Sequence, residues 1–177
     1  KGFSVRNFNS RASLAAYIPK FMKMYNDSLK GTTGNVPLSK NEIKKMTNQL
    51  LWFANPKLIK IIEKENHPVG FLLAYPDITT AIQKLNGNLF PFGWLRLLYE
   101  SRKTTHVNIN GAAILEEYRG MGGTALLYSE MFNSVKNNGY KTAEVVQIGI
   151  ENEKMQLEMR SMGIDFYKTH RMYEKYL

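Results

Sequence analysis

The sequence predicts a mixed α/β fold, and three observations carry that prediction. Apolar runs rich in β-branched and aromatic residues alternate with stretches of helical spacing along the 177 residues. A glycine-rich turn, Gly120-Met-Gly122-Gly123, joins a strand-like segment directly to a helix-like one. Hydrophobic residues make up 44% and charged residues 22%, a globular composition at a length that suits one domain with a single core.

Phe3 to Phe8 reads as a first strand. Leu14, Tyr17, Phe21, Met24 and Tyr25 recur at helical spacing between Ala12 and Leu29, and Gly31-Thr-Thr-Gly34 ends that helix. Ser39-Lys-Asn-Glu42 has the form of a capping box and opens a second helix to about Phe53. Leu58 to Ile62 and Val69 to Tyr75 flank Glu65-Asn-His-Pro68 and read as an antiparallel hairpin. Val107-Asn-Ile109-Asn alternates as a half-buried strand does, and Ala125, Tyr128, Phe132 and Val135 mark the helix after the glycine turn. Thr142 to Ile150 is a further strand, and Asn152 to Met162 a short helix stopped by Gly163. Ile164 to Tyr167 and Arg171 to Tyr176 look like a closing strand pair.

Composition narrows the chemistry. Cysteine is absent, which removes disulfides, thiol catalysis and Cys-type zinc sites and fits a reducing cytoplasm, the expected location. His67, His106 and His170 show no ligand spacing, so no metal is expected. No apolar run approaches the length of a membrane span, and the start lacks a signal-peptide pattern. The absence of an initiator Met points to a piece of a longer chain. The net charge of +9 attracts anions, but the basic residues are dispersed, without the dense block of a nucleic-acid arm.

The helix after the turn opens on glycines, so its first amides are approachable. Together with the helix dipole they suit a phosphate or pyrophosphate, with Arg119 alongside. The turn has neither the dinucleotide spacing nor a Walker Gly-Lys-Ser/Thr. It resembles the acetyl-coenzyme A loop of the GNAT N-acetyltransferases, Arg/Gln-x-x-Gly-x-Gly/Ala. Arg119 and Gly122 match that pattern, and Thr124 departs from it at the third position. The order β-α-α-β-β-insert-β-α-β-α-β-β extends the resemblance over the whole chain, most closely from Asn110 to Tyr176. The Gly2-Phe3 start looks like the head of the second domain in a longer subgroup.

The resemblance implies a twisted, mainly antiparallel sheet flanked by helices, and transfer of an acetyl group from acetyl-coenzyme A to a small-molecule or peptide amine. It implies that Arg119, Gly120, Met121, Gly122, Gly123 and Thr124 hold the pyrophosphate. Backbone groups of Ala112, Ala113 and Ile114 would hold the pantetheine and thioester, and Asn152 would match the Asn that opens the last helix. Glu144 is a candidate base, with Glu116 and Glu117 as others. The family's proton-donating tyrosine position falls on Met159, leaving Tyr167 and Tyr173 as candidate acids. The alternative is a non-catalytic coenzyme A-binding or structural domain of a larger protein.

Typical members join the strand near Tyr75 to the next by a short turn. Here residues 76–103 intervene, as a helix capped by Asp77 (Ile78 to Leu85) and an aromatic stretch from Leu89 to Tyr99. Three readings stand for the insert: extra core, a wall of the acceptor pocket formed by Phe90, Phe92 and Trp94, or contact with a membrane surface beside Arg96, Arg102 and Lys103.

Overall fold

The computed structural model describes residues 2–28, 39, 41, 42, 45, 51, 54–88, 90–171, 173 and 175. Five strands form one sheet in chain order: β1 (Phe3–Asn7), β2 (Ile59–Lys64), β3 (His67–Pro76), β4 (His106–Ile114) and β5 (Thr142–Val145). The first three pairings are antiparallel. The last is parallel, because a helical crossover connects β4 to β5. The helices whose whole span is described are α1 (Arg11–Ser28), α2 (Thr79–Leu85), α3 (Gly93–Ser101), α4 (Gly123–Asn137) and α5 (Glu153–Ser161). By contact density the chain divides into two compact units, Lys1–Val146 and Gln147–Leu177.

Strand alternation decides which helix covers which face of the first unit. Ile59, Ile61 and Phe71 join Phe8, Leu14, Ile18, Phe21 and Met24 in one buried cluster on the α1 face. Ile62, one residue out of phase with Ile61, points to the other face. There a Cβ added to Gly123 of α4 would lie 3.1 Å from its Cδ1 and 3.0 Å from that of Ile114. Leu127, Met131 and Val135 bury the same side of α4. The hairpin between β2 and β3 turns at Glu65 and Asn66, both at positive φ, where Asn is tolerated and Glu is uncommon.

The capping box expected at Ser39 is present. Glu42 Oε2 accepts from the Ser39 amide at 2.8 Å, and the Glu42 amide donates to Ser39 Oγ at 3.4 Å. Most of the helix it was expected to open lies outside the described residues. The helix α2 starts at Thr79 rather than Ile78: Ile78 is its N-cap, and Asp77, one residue earlier, accepts on Oδ1 from the amide and hydroxyl of Thr79.

Two strand expectations are corrected. The predicted strand Thr142 to Ile150 ends at Val145. The expected strand Ile164 to Tyr167 does not form, and the described positions 171, 173 and 175 of its expected partner form no strand, while 172, 174 and 176 lie outside the described residues. Aromatic and β-branched content marks a half-buried pleated surface rather than an intrinsic backbone preference. Phe166 and Tyr167 are exposed, so no buried face fixes a register for them. In the second unit α5 behaves as expected. Asn152 Oδ1 accepts from Met155 N at 3.2 Å, and Gly163, at φ +78°, ends the helix with Ile164 N donating to Met159 O.

Lys60 is an unexpected buried cation at the centre of β2. Its ammonium donates to Asn7 Oδ1 and to Ser134 Oγ (2.6 Å), tying β1, β2 and α4 together. Burial pushes its pKa below that of a free lysine, with the Glu130 carboxylate opposing the shift. The unfolded chain therefore holds this proton to higher pH than the folded one, and Lys60 adds a stability gain as pH rises from its folded pKa towards the free value. Lys60→Met is expected to flatten that alkaline rise, as measured by denaturant unfolding across pH.

Candidate functional site

The site grows from a bulge in β4. Leu72 pairs with Ala112 and Ala74 with Ile109, so Leu73 alone faces both Asn110 and Gly111. Gly111 sits at φ +112°, open in practice only to glycine. Beyond the bulge β4 runs close to β3, with Ala112, Ala113 and Ile114 opposite Leu72, Phe71 and Gly70. A Cβ on Gly70 would meet the Ala113 carbonyl at 2.7 Å and Ile114 Cγ1 at 2.8 Å, so Gly70 sets the close approach that fixes these backbones. No β5 residue pairs with β4 beyond Ile109, which accepts a last bond from Val146 N at 3.1 Å.

β4 leads into the glycine turn through one 3-10 turn, Glu116–Tyr118. Gly120 and Gly122 both have positive φ, +75° and +86°. Gly122 is the N-cap of α4, with no side chain capping the helix, and the first helical bond runs from Leu126 N to Gly122 O. The amides of the first turn thus have no intrahelical acceptor. A Cβ on Gly122 would meet nothing within 4 Å, so the space over the helix start is open. Gly123 differs: it is buried, and its lack of a side chain lets α4 sit on the sheet. The two adjacent glycines therefore differ: Gly122 leaves the space over the helix start open, and Gly123 lets the helix pack on the sheet. Met121 is exposed and Thr124 half-buried.

Arg119 is placed beside the loop but is partly committed. Its Nε donates to Ile114 O at 3.0 Å and its Nη2 to Ser28 O at 3.5 Å. Two of five guanidinium donors hold the turn against the end of β4 and the last carbonyls of α1.

A polar cluster occupies the face of β4 and β5 away from this turn. In register, Asn108 pairs with Glu144 on one side and Tyr75 on the other, and His106 pairs with Thr142. His106 Nδ1 lies 2.7 Å from Thr142 Oγ1, and its Nε2 faces Glu144 Oε2 at 3.7 Å. Asn108 Nδ2 donates to Asp77 Oδ1 at 3.4 Å, and Asn110 Nδ2 to the Tyr75 hydroxyl at 3.3 Å. Burial would raise the Asp77 pKa; the Thr79 bonds, the His106 charge and Asn108 together hold it below the usual carboxylate value. Sequence reasoning reached Glu144 but not His106, Asn108 or Tyr75. The signal was present as polar residues at 106, 108 and 110 alternating with apolar Val107 and Ile109.

The insert stands at this same end of the sheet, closed at its base by Asp77 N donating to His106 O (2.9 Å). Phe90 is 81% exposed and Phe92 71%, with Trp94 also exposed, which removes the reading of this aromatic stretch as extra core. Glu116 and Glu117 are exposed beside the glycine turn. In the second unit Tyr167 and Tyr173 are 66% and 86% exposed, Met159 is buried, and Asn152 spends its side-chain oxygen on its own helix. Among the described residues no group of three His, Cys, Asp or Glu side chains is placed to hold a metal, and no helix is long and apolar enough to cross a membrane.

No family model matches the chain. Among solved structures, aminoglycoside N-acetyltransferase AAC(6')-Iy in complex with coenzyme A superposes with a TM-score of 0.62 at 13% identity, over 99% of this chain and 95% of that one. A possible acetyltransferase from Clostridium difficile 630 gives 0.61 at 15%, over 100% and 99%. An aminoglycoside acetyltransferase from an uncultured soil metagenomic sample, in complex with sisomicin, gives 0.60 at 13%, over 99% and 97%. The chain has the GNAT acetyltransferase fold. In sequence it is similar to Protein YghO of Escherichia coli strain K12, 28% identical over 99% of this chain and 46% of that protein. It is also similar to the bacterial ceramide synthase of Caulobacter vibrioides, 24% identical over 88% and 42%. The chain thus spans less than half the length of these relatives.

Proposed function

We propose that this chain transfers an acyl group, acetyl in the simplest case, from a coenzyme A thioester to an amine. The carrying observation is the start of α4: a left-handed glycine N-cap with open space above it, placed directly after a bulged strand. Those amides bind the pyrophosphate, with Arg119 holding the turn in shape and lending its charge. The backbone of Ala112, Ala113 and Ile114 takes the pantetheine arm, which leads back towards the polar cluster.

There Glu144 accepts a proton from the ammonium form of the acceptor, directly or through water. The freed amine attacks the thioester carbonyl and the C–N bond forms; the nitrogen gives up its second proton to solvent as the C–S bond breaks, and the leaving thiolate takes a proton from solvent. The acceptor carries an apolar body as well as its amine, since the exposed rings of Phe90, Phe92 and Trp94 stand at the Glu144 end of the sheet. A ceramide is an amide of a fatty acid with a long-chain amino alcohol, so the name of the Caulobacter relative supports both a longer acyl group and such an acceptor. A second reading, binding without catalysis, is favoured by one observation: Met159, at the position of the family's proton donor, is buried and has no proton to give.

Native mass spectrometry of the purified protein should find bound coenzyme A. Thiol release from acetyl- and long-chain acyl-coenzyme A should depend on adding a long-chain amino alcohol or another amine. Coenzyme A bound but no thiol released with any amine would favour the second reading, and no coenzyme A bound would overturn both.

A further inference from the structure

The insert carries an apolar surface that runs beyond the three rings proposed to meet the acceptor. None of the nine residues of α3 is buried, although the helix holds Trp94, Leu95, Leu97, Leu98 and Tyr99. Phe92, Leu95 and Tyr99, at i, i+3 and i+7, share one stripe and are all exposed. Phe90 extends the stripe beyond the helix start. This is apolar surface of the kind that soluble monomers leave uncovered only where something else covers it.

The surface is built rather than frayed. α2 and α3 pack as a helical hairpin, and Gly93 closes it so tightly that a Cβ there would sit 2.2 Å from Asn88 O. Lys84 pairs with Glu100 across the hairpin at 3.2 Å. Trp94 Nε1 donates to Pro91 O at 3.0 Å, which fixes the indole.

Charge selects the occupant. Beside the apolar stripe stand Arg96, Arg102 and Lys103, and the Lys103 ammonium lies 4.0 Å from the centre of the Tyr99 ring. Glu100, the acid of α3, is neutralised by Lys84. The chain as a whole carries +9. Protruding aromatic side chains ringed by cations match an anionic bilayer surface, where rings enter the acyl boundary and cations meet phosphates. A folded protein partner would need a pocket for each anchor; a bilayer deforms around them.

We infer that the α2–α3 insert docks the protein on anionic membrane surfaces, with Phe90, Phe92, Leu95 and Tyr99 entering the acyl boundary and Arg96, Arg102 and Lys103 meeting lipid phosphates. This goes beyond the acyl-transfer reading and does not depend on it, because partitioning needs no cofactor.

The test is co-sedimentation of the purified protein with vesicles of phosphatidylcholine alone and of an equimolar mixture with phosphatidylglycerol. The parent should bind the anionic vesicles and bind phosphatidylcholine far more weakly. Phe90→Ala/Phe92→Ala should lower the partition coefficient about tenfold or more while leaving the thermal melt and coenzyme A affinity unchanged. Arg102→Gln/Lys103→Gln should remove the preference for anionic lipid. In a Trp52→Phe background, Trp94 emission should shift to the blue on binding. A parent that ignores both vesicles overturns the inference. So does vesicle binding that the alanine pair leaves intact. A dimer that dissociates in the alanine pair would assign the surface to a second copy and would equally overturn it.

Discussion

Gly122→Val is expected to abolish coenzyme A binding, by about 100-fold or more, while the protein stays folded. The residue sits at φ +86° over open space, and a valine there acts in two ways. Its branched side chain occupies the volume over the first amides of α4, where a phosphate would have to approach. It also disfavours the left-handed backbone by roughly 1–2 kcal/mol, which turns the amides away from a common focus. A hydrogen bond to a charged group contributes about 1.5–3 kcal/mol, so misplacing two of them accounts for a loss of that size. Because no atom lies within 4 Å of the added Cβ, the cost to folding is confined to the backbone term. The neighbouring position supplies the contrast. Gly123→Ala pushes a methyl against Ile62 and Ile114 at 3.1 and 3.0 Å, so it should lower stability before it lowers affinity. Calorimetry and thermal melts on both variants separate the two roles. Equal affinity of Gly122→Val and the parent would refute the placement of the pyrophosphate.

The glycine turn was legible as a turn because its backbone is written in residue types: only glycine adopts φ +75° and +86° freely. The hairpin of β2 and β3 and the helix α4 were legible from periodicity. What stayed hidden depends on register. That His106 meets Glu144, and that Tyr75 stands beside Asn108, follows from parallel pairing of β4 with β5 and from a two-against-one bulge at Gly111. A lone glycine in an alternating strand signals such a bulge, but not which partner residue it faces. Lys60 was hidden for a related reason. Within Leu58-Ile-Lys-Ile-Ile62 it reads as the solvent side of a strand, yet α4 covers that side and supplies Ser134 to receive the ammonium. The first closing strand was over-read from composition, because Phe166 and Tyr167 suit a sheet face that these residues do not have, while the second lies partly outside the described residues.

Replacing Glu144 by glutamine should slow acyl transfer by about 10²–10⁴-fold with coenzyme A affinity unchanged, since the substitution removes a base and keeps its shape. The carboxylate belongs to the short β5 segment, opposite Asn108 and facing the His106 ring, at the insert end of the sheet. It is therefore remote from the phosphate contacts, which is why affinity and rate should part company. The pH profile gives a second reading. In the parent, kcat/KM should fall on the acid side as the base takes up a proton; in Glu144→Gln that limb should disappear from the residual rate. A Glu144→Gln enzyme within about twofold of the parent, with the acid limb intact, would remove Glu144 from the reaction and return the base to Glu116, Glu117 or solvent, where a loss of 10²-fold or more is not expected.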